Sequence, residues 1–191
     1  MTELVSLRQE IITAAVGLTT TTGWSTVTMS RIADLVGVSR QTVYNEVGSK
    51  PELAQAMVLD ELTRFLAVVE SSFDTFPDDL PRAIRSAVRE VLQLAGTDVL
   101  LRAIVSGTHG EDVDLLPPLT TRAESVLSAA RAVLAGRLSS YDLPLTARER
   151  AVATDAIVRL VLSHVVQPSS SVSRSATDLA AVALSILRIA T

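Results

Sequence analysis

The sequence predicts an all-α protein: an N-terminal three-helix domain of helix-turn-helix pattern, followed by a helical bundle. Three observations carry this expectation. Apolar residues recur at spacings of three and four from Leu4 onward, the period of a helix with one buried face. Residues 28–50, TMSRIADLVGVSRQTVYNEVGSK, divide into two short helices around a single glycine. Hydrophobic residues make up 48% of the 191-residue chain but aromatics only 3%, so the core must be built of Leu, Val, Ile and Ala.

Leu4, Leu7, Ile11, Ala14, Ala15 and Leu18 mark the inner face of a first helix. Four consecutive threonines, Thr19 to Thr22, are expected to weaken its end, and Gly23 to stop it. Trp24, the one tryptophan, is read as a core plug between this helix and the motif. Thr28 can cap the next helix, whose apolar positions Met29, Ile32, Ala33 and Val36 share a face. Gly37 suits the left-handed residue that ends a helix. Val38 is an apolar plug and Ser39 a second cap. The following helix turns Val43 and Val47 inward and leaves Arg40, Gln41, Thr42, Tyr44 and Asn45 for solvent or a partner.

Ser49 and Glu52 have capping-box spacing, and Pro51 sits where its missing N–H does no harm. The fourth helix they open should reach about residue 73, with Leu62, Phe65, Leu66, Val69 and Phe73 inside and an Asp60–Arg64 pair outside. No Gly- or Ser-rich linker separates it from the motif. After a break at residues 77–81, a fifth helix buries Ile84, Ala87, Val88, Val91 and Ala95 and solvates Arg82, Arg85 and Arg89, with Gly96 ending it. A short helix over 99–105 and an irregular stretch over 106–118 follow. Glu111, Asp112 and Asp114 in that stretch, near His109, read as hydrated loop acids rather than a metal site.

A helix over about 119–138 and a turn at 141–144 lead to a second capping box, Thr146 with Glu149. The helix it opens reaches residue 166. Asp155, Arg159, Ser163 and Gln167 form one polar stripe, and most of the remaining circumference is apolar. A polar loop at 168–174 precedes a last helix, about 176–190, of the same character. A helix apolar around most of its circumference must be covered on two sides, and one small chain has little interior for two. The economical solution is a homodimer joined by a four-helix interface, with Ile157, Leu160, Val161, His164, Val182, Leu184 and Leu187 as its candidate residues. A monomer with both helices as central core is the other.

The run T-M-x-x-I-A-x-x-x-G-V-S-x-x-x-x-Y-x-x-x-x-S-K-x-x-L, residues 28–53, resembles the N-terminal domain of the TetR family of bacterial transcriptional regulators. Val36 stands where the family usually has Ala, and Val47 where it often has Phe; both keep the position apolar. The resemblance implies a DNA-reading domain over 1–49 and a ligand-binding, dimerising bundle over 50–191, in a repressor of a palindromic double-stranded DNA operator. Position in the motif and the resemblance together assign phosphate contacts to Thr28, Ser39, Tyr44 and Lys50. Arg40, Gln41, Thr42 and Asn45, near the start of the second motif helix, are the base-edge candidates. Among TetR-like proteins the last helix pair forms the dimer interface, which favours the dimer here. The aliphatic second domain suggests an apolar or amphipathic effector held near Phe65, Val69, Val88 and Val126. His109 is either a further lining residue or a surface-loop histidine.

Charge argues mildly the other way. The chain carries a net charge of −4. Up to Leu53, Arg8, Arg31, Arg40 and Lys50 face Glu3, Glu10, Asp34, Glu46 and Glu52, which is no basic footprint. The rival readings are a helical scaffold or enzyme that keeps only the fold, and a constitutive DNA binder without an effector. No nucleophile elbow, phosphate loop, dinucleotide fingerprint or zinc-protease motif supports an enzyme. With no cysteine, thiol chemistry and Cys-based zinc sites are excluded, and no metal or cofactor is expected. No signal peptide or membrane-length apolar run is evident, so a cytoplasmic protein without membrane contact is expected.

Overall fold

In the computed structural model, which describes residues 6–98, 100–101 and 123–189, all regular structure among the described residues is helical. The elements are α1 (Leu7–Thr22), a 3-10 turn (Trp24–Thr26), α2 (Met29–Val36), α3 (Arg40–Val47), α4 (Lys50–Thr75), α5 (Leu80–Thr97), α6 (Ala123–Leu138), α7 (Ala147–Val166) and α8 (Val172–Ile186). The chain forms two compact units. The first is built on residues up to Glu61, the second on Leu62–Asp98 and the chain from Glu124 onward. The stretch 102–122, with His109, Glu111, Asp112 and Asp114, lies outside the described residues.

In the first unit α1 packs against α2, α3 and the 3-10 turn. Its threonine run does not fray the helix. Thr19 donates to the Ala15 carbonyl at 2.7 Å, Thr21 to Gly17 at 2.8 Å and Thr22 to Leu18 at 3.0 Å, so each hydroxyl is satisfied inside the helix. Ile11, Ala15, Ile32, Val43 and Leu53 are all at most 0% exposed, and Trp24 is 2% exposed, in the place a core plug requires. Gln9 Nε2 donates to Asp60 at 2.9 Å and fastens α1 to α4, so Asp60 serves this contact.

The second unit has one aliphatic core. It gathers Phe73 of α4, Ala83, Ile84, Ala87 and Val88 of α5, Leu138 of α6, Ala153 and Ile157 of α7, and Leu179, Ala183, Leu184 and Leu187 in and just after α8. The alanines let α8 lie close along α5, and α7 packs against both. Arg64 pairs at 3.5 Å with the buried carboxylate of Asp98, the C-cap residue just after α5 ends at Thr97. The expected capping box at α7 is present in both directions between Thr146 and Glu149. Part of the α7 polar stripe is an ion-pair seam: Asp155 accepts from Arg159 at 2.8 Å and from Arg131 of α6 at 2.9 Å.

The last helix starts four residues earlier than its apolar pattern suggests. Ser171, in extended conformation, is the N-cap position, and of the serines read as loop only Ser173 lies in the first turn. It also ends earlier, at Ile186, where Arg188 adopts a left-handed conformation (φ 58°) and Ile189 N–H returns to the Leu184 carbonyl at 2.9 Å. Among the described residues, no helix is long and apolar enough to cross a membrane.

Candidate nucleic-acid interface

The turn between α2 and α3 is fixed by capping at both ends. Thr28 accepts from Arg31 N–H at 3.2 Å and starts α2. Gly37 ends it at φ 78°, ψ 31°, with its own N–H on Ala33 O at 2.9 Å and that of Val38 on the same carbonyl at 3.0 Å. Ser39 accepts from Thr42 N–H at 3.0 Å and starts α3. Val43 and Val47 are buried beneath α3. Helical periodicity then leaves Arg40, Gln41, Tyr44 and Asn45 together on the outer face, all four exposed.

These side chains are already paired in the free protein. The Arg40 guanidinium lies 5.3 Å from the Tyr44 ring centroid and donates to its hydroxyl at 3.2 Å. Gln41 Nε2 donates to Asn45 Oδ1 at 3.0 Å. Thr42, half-buried, shares a 2.8 Å hydrogen bond with the Ser39 hydroxyl. Thr28 and Ser39 are therefore cap groups first, and the Thr42 hydroxyl is already paired with that of Ser39.

Lys50 is placed less openly than a phosphate contact suggests. Its half-buried ammonium donates to the Trp24 carbonyl at 2.9 Å and lies 4.7 Å from the centre of the Trp24 ring. The start of α4 is thereby tied to the 3-10 turn. The turn before it needs Gly48, at φ 75°, ψ −142°, where a Cβ would collide with the Glu52 carboxylate. That carboxylate accepts from both the backbone N–H and the hydroxyl of Ser49 at 2.7 Å.

Two residues given no role by motif reasoning also brace this surface. Arg8 donates to the carbonyl of Glu46 near the end of α3, and Arg31 donates to the Thr26 carbonyl at 2.9 Å. Their signal in sequence was only their charge. Sequence spacing does not show which turn an arginine on α1 reaches.

The other candidate residues lie in the second unit. Val88 is buried in the core cluster and Val69 packs against it, while Phe65 and Val126 are half-buried. His109 is outside the described residues. Of the dimer candidates, Ile157, Leu184 and Leu187 are 6%, 1% and 0% exposed inside the chain's own core. Leu160, Val161 and His164 are half-buried, and Val182 is 44% exposed. The helix pair also exposes Val152 and Val166. Among the described residues, no group of three or more His, Asp or Glu is placed to hold a metal ion.

Comparison with known proteins agrees with the helix-turn-helix and helical-bundle fold. Residues 11–57 match the family model described as bacterial regulatory proteins, tetR family. Residues 79–185 match that of the bacterial tetracyclin repressor C-terminal domain. The HTH-type transcriptional regulator AlkX of Mycobacterium tuberculosis (strain ATCC 25618 / H37Rv) is 33% identical over 174 residues, covering 91% of this chain and 82% of that protein. The crystal structure of the TetR family repressor AlkX from Dietzia sp. strain DQ12-45-1b, implicated in biodegradation of n-alkanes, superposes with a TM-score of 0.78. It is 28% identical, over 98% of this chain and 99% of that one. The R. erythropolis transcriptional repressor QsdR shares the fold, with a TM-score of 0.63 at 18% identity over 97% and 96% of the two chains.

Proposed function

The chain belongs to the TetR family of bacterial transcriptional regulators, and we propose that it represses by binding a palindromic DNA operator as a homodimer and releases it when a small apolar or amphipathic molecule binds. Members of the family are DNA-binding proteins rather than enzymes, and they typically bind DNA as dimers and respond to ligands. The observation that carries the operator reading is the outer face of α3. Arg40, Gln41, Tyr44 and Asn45 stand exposed together over buried Val43 and Val47, near the N-terminal end of a helix that can enter a major groove with its first turns. In this reading residues 1–49 are the reading head and 50–191 the regulatory and dimerising body. Thr28, Ser39, Tyr44 and Lys50 hold phosphates, while Arg40, Gln41, Thr42 and Asn45 make up the part of the helix turned to the base edges.

Two heads must meet half-sites about one DNA turn apart, roughly 34 Å. A second copy of the chain supplies the second head, across the outer faces of α7 and α8, where Val152, Val166 and Val182 are exposed beside half-buried Leu160, Val161 and His164. The effector reading rests on the aliphatic second unit. It is supported by the 28% identical AlkX repressor, which is implicated in n-alkane biodegradation. Phe65, Val69, Val88 and Val126 are the lining residues we assign, and α4 is unbroken from Lys50 to Thr75. A change in its setting at the effector would therefore be delivered to the head without a flexible linker to absorb it. The effector must bind the DNA-incompetent state better, and DNA must weaken effector binding by the same factor. The burial of Val88, with Val69 packed on the same core, favours the rival of a constitutive binder with a filled core.

A gel shift with DNA from the region upstream of the protein's own gene, repeated with medium- and long-chain alkanes, fatty acids and alcohols, tests the proposal. The expected result is a discrete complex at nanomolar protein that one of these classes dissociates by about 5- to 150-fold. No complex at any concentration would refute the operator reading. A complex that no effector weakens would leave the constitutive binder.

A further inference from the structure

Gln41 and Asn45 are one turn apart on α3, exposed, and joined by a hydrogen bond in which Gln41 Nε2 donates to Asn45 Oδ1 at 3.0 Å. A glutamine amide carries two N–H donors and one carbonyl acceptor. With one N–H held by Asn45, Gln41 presents a single N–H beside its Oε1, in the plane of one amide. In the major groove this donor–acceptor edge complements adenine, which offers N7 as acceptor and N6–H as donor. It opposes guanine, whose N7 and O6 are both acceptors and would face the Gln41 oxygen.

We propose that Gln41 selects an A·T pair at one position in each operator half-site, and that Asn45 is the positioning residue that sets which edge of the Gln41 amide faces the base. The inference rests on the operator-binding reading above. Asn45 acts through the carbonyl oxygen that accepts from Gln41. An aspartate in its place would keep that acceptor and lose the amide's own donors. An alanine would lose both and free the Gln41 amide to rotate to meet either purine. Neither change touches the core, since Asn45 is exposed and the buried side of α3 is made by Val43 and Val47.

The experiment starts by selecting an operator from a random double-stranded DNA pool with the wild-type dimer. Each half-site position is then replaced in turn, and binding is measured for wild type, Gln41→Ala, Asn45→Ala and Asn45→Asp. The quantity read is the affinity ratio of adenine over guanine at each position, which cancels any uniform loss from the added aspartate charge. The wild type should show one position where adenine is favoured roughly 5- to 150-fold. Gln41→Ala should remove that preference at that position alone. Asn45→Ala should remove most of it, and Asn45→Asp should keep it. Loss of the ratio in Asn45→Asp as complete as in Asn45→Ala would show that Asn45 reads a base by its own donors, which overturns the positioning role. A guanine preference at the Gln41 position, or a Gln41→Ala protein that weakens all DNAs alike, would overturn the whole inference while leaving operator binding intact. A wild type that enriches no sequence at all would overturn the operator reading and this inference together.

Discussion

Replacing Lys50 by methionine separates two roles that a helix-turn-helix lysine can play. The structure places its ammonium 2.9 Å from the Trp24 carbonyl and 4.7 Å from the centre of the Trp24 ring. A hydrogen bond to a charged group is worth about 1.5–3 kcal/mol net, and a cation over an indole adds about 0.5–2 kcal/mol depending on solvent access. The two share one ammonium that is only half-buried, so they do not add in full. Methionine keeps the apolar stem and leaves the Trp24 carbonyl without this donor. A loss of about 1.5–3 kcal/mol from the first unit is expected. Trp24 is the one tryptophan in the chain, so its emission reports on this unit alone. Urea unfolding followed by that emission should show a lower midpoint in Lys50→Met, together with a shifted native spectrum. If the remaining ammonium donors also reach a phosphate, the slope of log affinity against log salt should fall by about 1 for each reading head. A variant with wild-type midpoint and spectrum, but a reduced salt slope, would refute the clamp and leave Lys50 as a phosphate contact only.

Leu184 lies inside the core of its own chain, so Leu184→Arg should destabilise the fold by several kcal/mol, read as a fall in melting temperature. Val182→Arg, at an exposed site on the same helix, should cost the isolated chain no more than about 0.5 kcal/mol yet shift sedimentation from dimer to monomer and abolish tight operator binding; an unchanged dimer would exclude Val182 from the interface. Glu149 is held below the usual carboxylate range by the Thr146 backbone N–H first, then by the Thr146 hydroxyl and Arg188. Its contribution is therefore present above the ordinary carboxylate pKa and lost as pH falls through the lowered folded value, and Glu149→Gln should flatten the acid limb of melting temperature against pH. Val126→Phe should block release by the effector while leaving operator binding near normal if Val126 lines a pocket. A loss of about 1–3 kcal/mol with unchanged effector response would mean filled core.

Much of the fold follows from local chemistry, and the reasons are specific. Thr28, Ser39, Thr146 and the Glu149 box are legible because a cap and its partner lie within three residues of each other. The α2–α3 turn is legible because Gly37 takes the left-handed conformation that other residues resist. What was not legible depends on neighbours distant in sequence. A wide apolar face on α8 reads as needing outside cover, but alanines let it lie close along α5, so Leu184 and Leu187 are consumed by the chain's own core. Ser173 reads as loop because composition cannot show that Ser171, with an extended backbone and no side-chain cap bond, is the N-cap position and that α8 begins at Val172. Arg64 reads as a partner for Asp60, four residues away, but Asp60 meets Gln9 of α1 and Arg64 meets Asp98, the C-cap of α5.

The cations of the first unit show why a nearly neutral head need not be a poor reader. Arg8, Arg31, Arg40 and Lys50 are the basic residues up to Leu53. Each is bonded to the protein itself: Arg8 to the Glu46 carbonyl, Arg31 to Thr26, Arg40 to Tyr44 and Lys50 to Trp24. They brace the end of α3, the turn before α2, the face of α3 and the start of α4. Charge here fixes geometry before it attracts DNA. Phosphate attraction is the part of binding that ignores sequence and falls with salt, whereas base-edge contacts give discrimination only when side chains and helix are held in register. A head braced in this way should show weak non-specific binding and a shallow salt dependence. Its ratio of operator to random-DNA affinity should then depend chiefly on the paired side chains of α3. A steep salt slope, several units greater than two heads' worth of free lysine and arginine contacts could give, would mean that these braces open on DNA and that the cations serve the phosphates instead.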